Sequence, residues 1–341
     1  MKLPAKLAIA SLAIVTAASS ASAQNATTDP VGFQSANMVV GTNPIGLPLL
    51  NSDLVKTSVV SVSDNTVTLS GVSNVGSLLT SNEPYYIEVY SGNLTGDRFE
   101  VSVNATVSAA NSSVIIDSSS PNNTFVVASI GTSLNGATVA IRKHVTLDQV
   151  QGMFSPALIG SNTAASADQI SVFDPATQNY INYFLRADNV TWRRVGTTTN
   201  SNKVVVAPGS GIFLNKITSP TVLTQTGGVR INDFALPYVV GNQLLAPGFP
   251  VGYSPSSMGA TTANGWTGSN TASNADQLAI FNPSTQNFTN YFLRADGTTW
   301  RIVGTTTNVS STELVNSDGT YFAIRKTADA NNVMIDPIPA N

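Results

Sequence analysis

The chain has 341 residues and a formal charge of −3, and charged side chains make up only 10% of it, against about 25% in ordinary soluble domains. That balance excludes a nucleic-acid binder, which needs a basic stripe to neutralise phosphates. Cysteine is absent, so disulfides and thiolate metal sites are ruled out, and stability must come from apolar burial and sheet hydrogen bonds.

In chain order, the first segment is MKLPAKLAIASLAIVTAASSASAQ. Lys2 and Lys6 form a positive start, Leu7 to Val15 an apolar stretch, and Ala21-Ser22-Ala23 a small-residue cleavage site. Residues 1–23 therefore read as a secretory signal peptide. The apolar run is too short for the ~20 residues of a membrane span, so no integral membrane segment is expected in the mature chain. Loss of the two lysines takes the formal charge from −3 to about −5. The expected location is outside the cell or on its surface, with the periplasm left open.

Beyond residue 23, no window keeps a helical apolar period. Short runs rich in Val, Ile, Thr, Tyr and Phe recur, punctuated by Asn-Gly, Asp-Gly and Pro-Gly turns. The reading is all-β. Val31 to Leu50 opens the first unit, and its Val39-Val40-Gly41 returns as Val239-Val240-Gly241. Each opener is read as a strand leading into a proline-fixed extended segment. Between this opener and the rest of its unit lies a block of short strands. It starts with a hairpin turning at Ser63-Asp64-Asn65. Tyr85 to Tyr90, Phe99 to Val103, Val114 to Asp117 and Phe125 to Ile130 follow, with NATVSAANSS as a turn-rich link. Asn135-Gly136 then leads into TVAIRK. Such density of strands predicts a small barrel or sandwich.

The stretch Asp168 to Asn200 is written again as Asp276 to Asn308, offset by 108. From Gly160 to Asn200 about 29 of 41 positions are identical in the second copy, which is an internal duplication. Each copy reads as a three-stranded meander, with turns at Ala187-Asp188-Asn189 and Ala295-Asp296-Gly297. The predicted architecture is two tandem β-sandwich or meander-like domains, the first interrupted by a small inserted β-barrel-like module. The expected bounds are residues 24–51 plus 144–227 for domain 1, 52–143 for the insertion and 228–341 for domain 2.

Three motif sets carry a resemblance: Ala167-Asp168-Gln169, Tyr183 with Trp192, and Pro208-Gly209-Ser210-Gly211-Ile212-Phe213. With them the chain resembles a family of secreted bacterial tandem β-repeat proteins of unknown function. The resemblance implies export and the tandem plan, and brings no activity with it.

Candidate chemistry is sparse. His144 is the only histidine and has no recognisable triad motif around it. Asp168 with Asp188, and Asp276 with Asp296, are the carboxylate pairs that glycan hydrolysis would need. Against this, Asp in a tight turn bonds its own backbone, and Asp168 and Asp276 are expected near Arg186, Arg193 and their copies. FDPATQN and RADNVT lack the alternating acids of a calcium loop, so neither a metal nor a cofactor is expected. Trp192 and Trp300 are equivalent mid-strand positions, beside Arg193 and Arg301. As large aromatics they suit a domain core; alternatively, with Tyr183 and Tyr291, they form a platform for a sugar ring. Trp266, in the loop TTANGWTGSN, is the candidate for an exposed contact. These observations favour a non-enzymatic structural or adhesive protein at the cell surface, self-assembly into a fibre or matrix being its strong form. The alternative is a glycan-binding module, with a carboxylate-dependent enzyme behind it. The partners implied are a second copy of the chain or a surface polysaccharide.

Overall fold

The computed structural model describes residues 30–174, 176–237, 239–327 and 333–336; the expected signal peptide lies outside them. Nearly all regular structure is antiparallel β, as the turn-punctuated runs predict. Among the described residues no helix is long and apolar enough to cross a membrane.

The first unit begins with β1 (Val31–Met38) and β2 (Gly41–Ile45). The chain then enters the block between residues 53 and 143: β3 (Asp53–Ser63), β4 (Thr66–Leu69), β5 (Tyr85–Val89), β6 (Arg98–Glu100), β7 (Ser113–Ile115) and β8 (Thr138–Lys143). These strands form one sheet in the order β6-β5-β8-β3-β4-β7. Its two edges meet where Ser102 donates to the Ile115 carbonyl at 2.7 Å and Asp117 to the Glu100 carbonyl at 2.8 Å. The sheet is therefore a closed six-stranded barrel, which leaves no free edges. Its interior is filled by Val59, Val67, Ile87, Phe99, Val114 and Ile141, among others.

Two details of the block differ from expectation. NATVSAANSS supplies the helix α1 (Val103–Ala109), which bridges β6 to β7 and is stopped by Ala110 in a left-handed conformation. Phe125 to Ile130 is no strand; it holds a short 3₁₀ turn at Val127–Ser129. Both segments lie outside the sheet's ladders, and local bonds such as Thr106 to the Ser102 carbonyl and Ile130 to the Val127 carbonyl satisfy their backbone.

After the barrel come β9 (Val145–Thr146), α2 (Leu147–Gln151) and β10 (Phe154–Ser155). Next are β11 (Gln169–Asp174), β12 (Asn179–Leu185), β13 (Trp192–Arg194), β14 (Val205–Val206), β15 (Ile212–Lys216) and β16 (Thr221–Gly228). The expected meander is present but enlarged: the sheet is β13-β12-β11-β15-β2, so the opener strand closes it. β16 lies between β1 and β10 in a separate ladder, and β14 pairs with β9.

The second unit contains β17 (Phe234–Pro237), β18 (Gly241–Leu245), β19 (Gln277–Asn282), β20 (Asn287–Leu293), β21 (Trp300–Ile302), β22 (Tyr321–Arg325) and β23 (Val333–Asp336). Its main sheet is β21-β20-β19-β22-β18, the same order as in the first unit. β17 pairs with β23 as β1 pairs with β16, first strand to last.

Period-2 alternation sends the two faces of each main sheet to different places. Ile170, Tyr183, Leu185, Trp192 and Leu214 enter the first unit's own core with Leu147 and Val150 of α2. Leu278, Leu293, Trp300 and Ala323 do the same in the second. The opposite faces meet each other. Phe213, Leu244, Ala279 and Phe322 form a shared layer, with Phe173 and Phe281 packed against it. Phe173 meets Phe322 edge-on at 5.2 Å, and its counterpart Phe281 meets Phe213 edge-on at 5.6 Å. The units are thus joined by an approximate twofold relation within one chain.

Candidate functional site

The carboxylates come first, because they decide whether acid–base chemistry has a place. Asp168 is fully buried at the start of β11. It accepts from the Ile159 amide at 2.8 Å, from the Ile217 amide at 3.0 Å, and from the Lys216 ammonium. Asp276 repeats the pattern with the amides of Thr267 (2.8 Å) and Lys326 (2.7 Å), and with Arg325 at 3.0 Å. The expected neighbours, Arg186 and Arg193, are not the partners. Lys216 and Arg325 end β15 and β22, which hydrogen-bond directly to β11 and β19, and so arrive beside the buried acid. Asp188 lies in the next turn and accepts from the amides of Val190 and Thr191. The Thr191 and Val190 amides pull its carboxyl down to about 2. Asp296 does likewise with Thr298 and Thr299. Each candidate acid is therefore bound to its own scaffold, and none forms a carboxylate pair with another.

Trp192 and Trp300 are fully buried. The Trp192 indole donates to Gln151 Oε1 at 2.9 Å, and that of Trp300 to the Ala260 carbonyl at 2.7 Å. Trp266 is not an exposed loop contact. It is 5% accessible, meets Trp300 edge-on at 5.4 Å, and carries the Arg325 guanidinium over its face at 4.1 Å. The loop folds inward because the second unit has no α2 to cover Trp300, and Trp266 fills that place. None of the three indoles has a face free for a sugar ring.

The proposed aromatic–arginine grouping is divided by the sheet. Trp192 and Arg193 are adjacent on β13, so their side chains leave opposite faces. Tyr183 is instead opposite Arg194, and Phe184 opposite Arg193. The second unit pairs Tyr291 with Ile302 and Phe292 with Arg301. Arg193 and Arg301 are half-buried, and the Nε of each is enclosed without a hydrogen-bond partner among the described residues.

Tyr183 does border an opening. A shallow groove of about 410 Å³ is lined by Tyr183, Arg194, Thr197, Asn200, Ser201 and Lys203, together with Thr199 and Val204. Lys203 is held by Glu83 at 2.6 Å and Asp148 at 2.8 Å, and Arg194 is the groove's other, exposed cation. Positions 302 and 311, each 108 further on, are Ile and Ser, so this cationic lining belongs to the first unit. Sequence reading chose Arg193 because it adjoins Trp192; strand parity would have chosen Arg194.

A buried ionic cluster joins the barrel to the second unit. Glu88 on β5 takes Arg142 at 3.1 Å and Arg230 at 2.8 Å, all three being buried. Burial raises the Glu88 carboxyl, but the guanidiniums of Arg230 and Arg142 outweigh it and hold it below its ordinary value. Arg230 also donates to the Gly248 carbonyl at 2.9 Å and stacks on Phe234 at 3.8 Å. His144 is fully enclosed, with Nε2 2.7 Å from Glu100 and its ring against Tyr86. No group of three or more potential ligands able to hold a metal occurs among the described residues.

No protein-family profile, no curated protein and no solved structure matches this chain.

Proposed function

We propose that the chain is an exported structural or adhesive protein that works through non-catalytic contacts. The observation that carries this reading is the use made of its charged and aromatic residues. The duplicated acids and the tryptophans are committed to the interiors of their own units, Arg230 and Glu88 join the barrel to the second unit, and an aromatic layer joins the two units. The accessible surface is left mainly to hydroxyls, amides and strand edges. Such a surface suits contact over a broad area, because it binds through many weak hydrogen bonds instead of one reactive centre. Cell fractionation with immunogold labelling tests it. The expected outcome is protein at the cell surface or in extracellular material, with loss of surface cohesion when it is removed. Turnover of an extracellular polymer by the purified chain would overturn the reading.

A second reading has the groove beside Tyr183 in its favour: a saccharide bound by the hydroxyls and amide around Arg194. On a glycan array, any binding at that groove is expected to fall at least tenfold in Arg194→Ile, the residue of the second unit. Binding unchanged by that substitution removes the groove from consideration.

A further inference from the structure

The two units differ in what covers the outer edge of their first strand. In the second unit that strand is β17. Its Ala235 amide donates to the Gly96 carbonyl of the barrel at 3.1 Å, and its Ala235 carbonyl accepts from Arg98 Nη1 at 3.2 Å. Asn232 adds a bond to the Val89 carbonyl at 3.2 Å. The hairpin of β5 and β6 thus closes this edge from within the chain.

The counterpart in the first unit is β1, offset by 200 residues, which sets Ser35 in the place of Ala235. The ladder to β16 runs with Val31 opposite Gly228 and Met38 opposite Thr221. The Val229 amide bonds the Pro30 carbonyl at 2.8 Å, so even-numbered residues turn their backbone groups toward β16. Antiparallel alternation then directs the amides and carbonyls of Val31, Phe33, Ser35 and Asn37 to the other side. Among the described residues no hydrogen-bond partner meets them there. The same residues expose their side chains, Val31 at 79% and Phe33 at 70% accessibility.

An edge strand of this length is ordinarily guarded by lysine, proline or a bulge. Here VGFQSANM and its neighbour TVLTQTGG carry no charge and no proline, and their register is unbroken. Nothing repels an identical strand. The barrel hairpin that closes β17 is already engaged in its own chain, so a second molecule cannot lend it to β1.

The geometry points to β1 as the dimerisation edge of this protein, taking β1 of a second copy in antiparallel pairing. Hydrogen-bonded pairs drawn from Val31, Phe33, Ser35 and Asn37 set like faces side by side on both strands, giving a continuous sheet β10-β16-β1-β1-β16-β10. The contact is isologous, so it closes as a twofold dimer and does not propagate into a filament. This rests on the contact-protein reading, and adds its partner and stoichiometry.

The test is light-scattering mass and amide hydrogen exchange on the purified chain over a range of concentrations. A dimer is expected, with the amides of Phe33 and Ser35 protected in step with dimer formation. Ser35→Pro removes an outward amide without touching the β16 ladder, and should weaken dimerisation at least tenfold. Phe33→Lys, which leaves the backbone intact, should weaken it as well while circular dichroism stays unchanged. A monomer at all concentrations overturns the inference, whether the Phe33 and Ser35 amides exchange freely or are protected by the chain's own residues. A dimer indifferent to both substitutions also overturns it, while leaving the contact-protein reading standing.

Discussion

The buried pair Asp168–Lys216 shows what the duplicated stretch is for at the level of single residues. The acid gathers two amides and one ammonium at the point where β11 begins, and Asp276 with Arg325 does the same for β19. Removing one member of such a pair leaves the other charge buried and uncompensated, at a cost of about 3–5 kcal/mol. Asp168→Asn is therefore expected to lower stability by that order, measured by chemical denaturation. The double variant Asp168→Asn with Lys216→Met should recover much of the loss, since no isolated charge remains. A single variant as stable as the parent would refute the bracing role.

At the level of elements, the joint between the two main sheets is reciprocal. Gln178 sits in the β11–β12 turn with φ of 55° and bonds both backbone groups of Asn242, at 2.8 and 2.9 Å. Gln286, in the β19–β20 turn with φ of 54°, bonds both groups of Thr42 at 3.0 Å. Each glutamine thus holds the opener strand of the other unit, whose Gly41 or Gly241 approaches the amide group too closely to admit a larger residue in comfort. These bonds are exposed, so each contributes at the low end of about 0.5–1.5 kcal/mol. The aromatic layer beneath supplies the larger share of the joint. Gln178→Ala and Gln286→Ala are expected to lower stability by similar, small amounts that add in the double variant, because the two sites share no partner. Denaturation midpoints would check this; strong non-additivity would mean that the joint opens as a unit.

At the level of the molecule, the barrel has its own core, and its buried ionic attachment to the second unit runs through Arg230 and Glu88. That attachment carries a pH dependence whose sign follows from Glu88. Its folded carboxyl is held below the ordinary value of 4.5. It therefore contributes stability that is present above about pH 4.5 and lost as pH falls through the lower folded value. Glu83, held down by Lys143 and Lys203 against its burial, acts in the same direction. The melting temperature is expected to be level above about pH 5 and to fall on acidification, with a shallower acid limb in Glu88→Gln. Calorimetry should also divide into two transitions on the acid limb as the barrel separates from the paired units. A melting temperature that rises on acidification would contradict the assignment.

The sequence by itself determined the β class, the repeat and the barrel-forming block, because alternating patterns, turn residues and near-identity are local or self-referential signals. For Trp192 and Trp300 it left a core position and a sugar platform both open, and only their complete burial in the folded units decided for the core. Three further things were decided only in the tertiary structure. Trp266 turned inward because a neighbouring indole needed cover. The duplicated acids found Lys216 and Arg325, some 50 residues away, because sheet order sets β15 and β22 beside them. The outer side of β1, unpaired among the described residues, stood out only beside β17, which the barrel covers. In each case the deciding contact joins segments far apart in the chain, and nothing in either segment alone encodes the other.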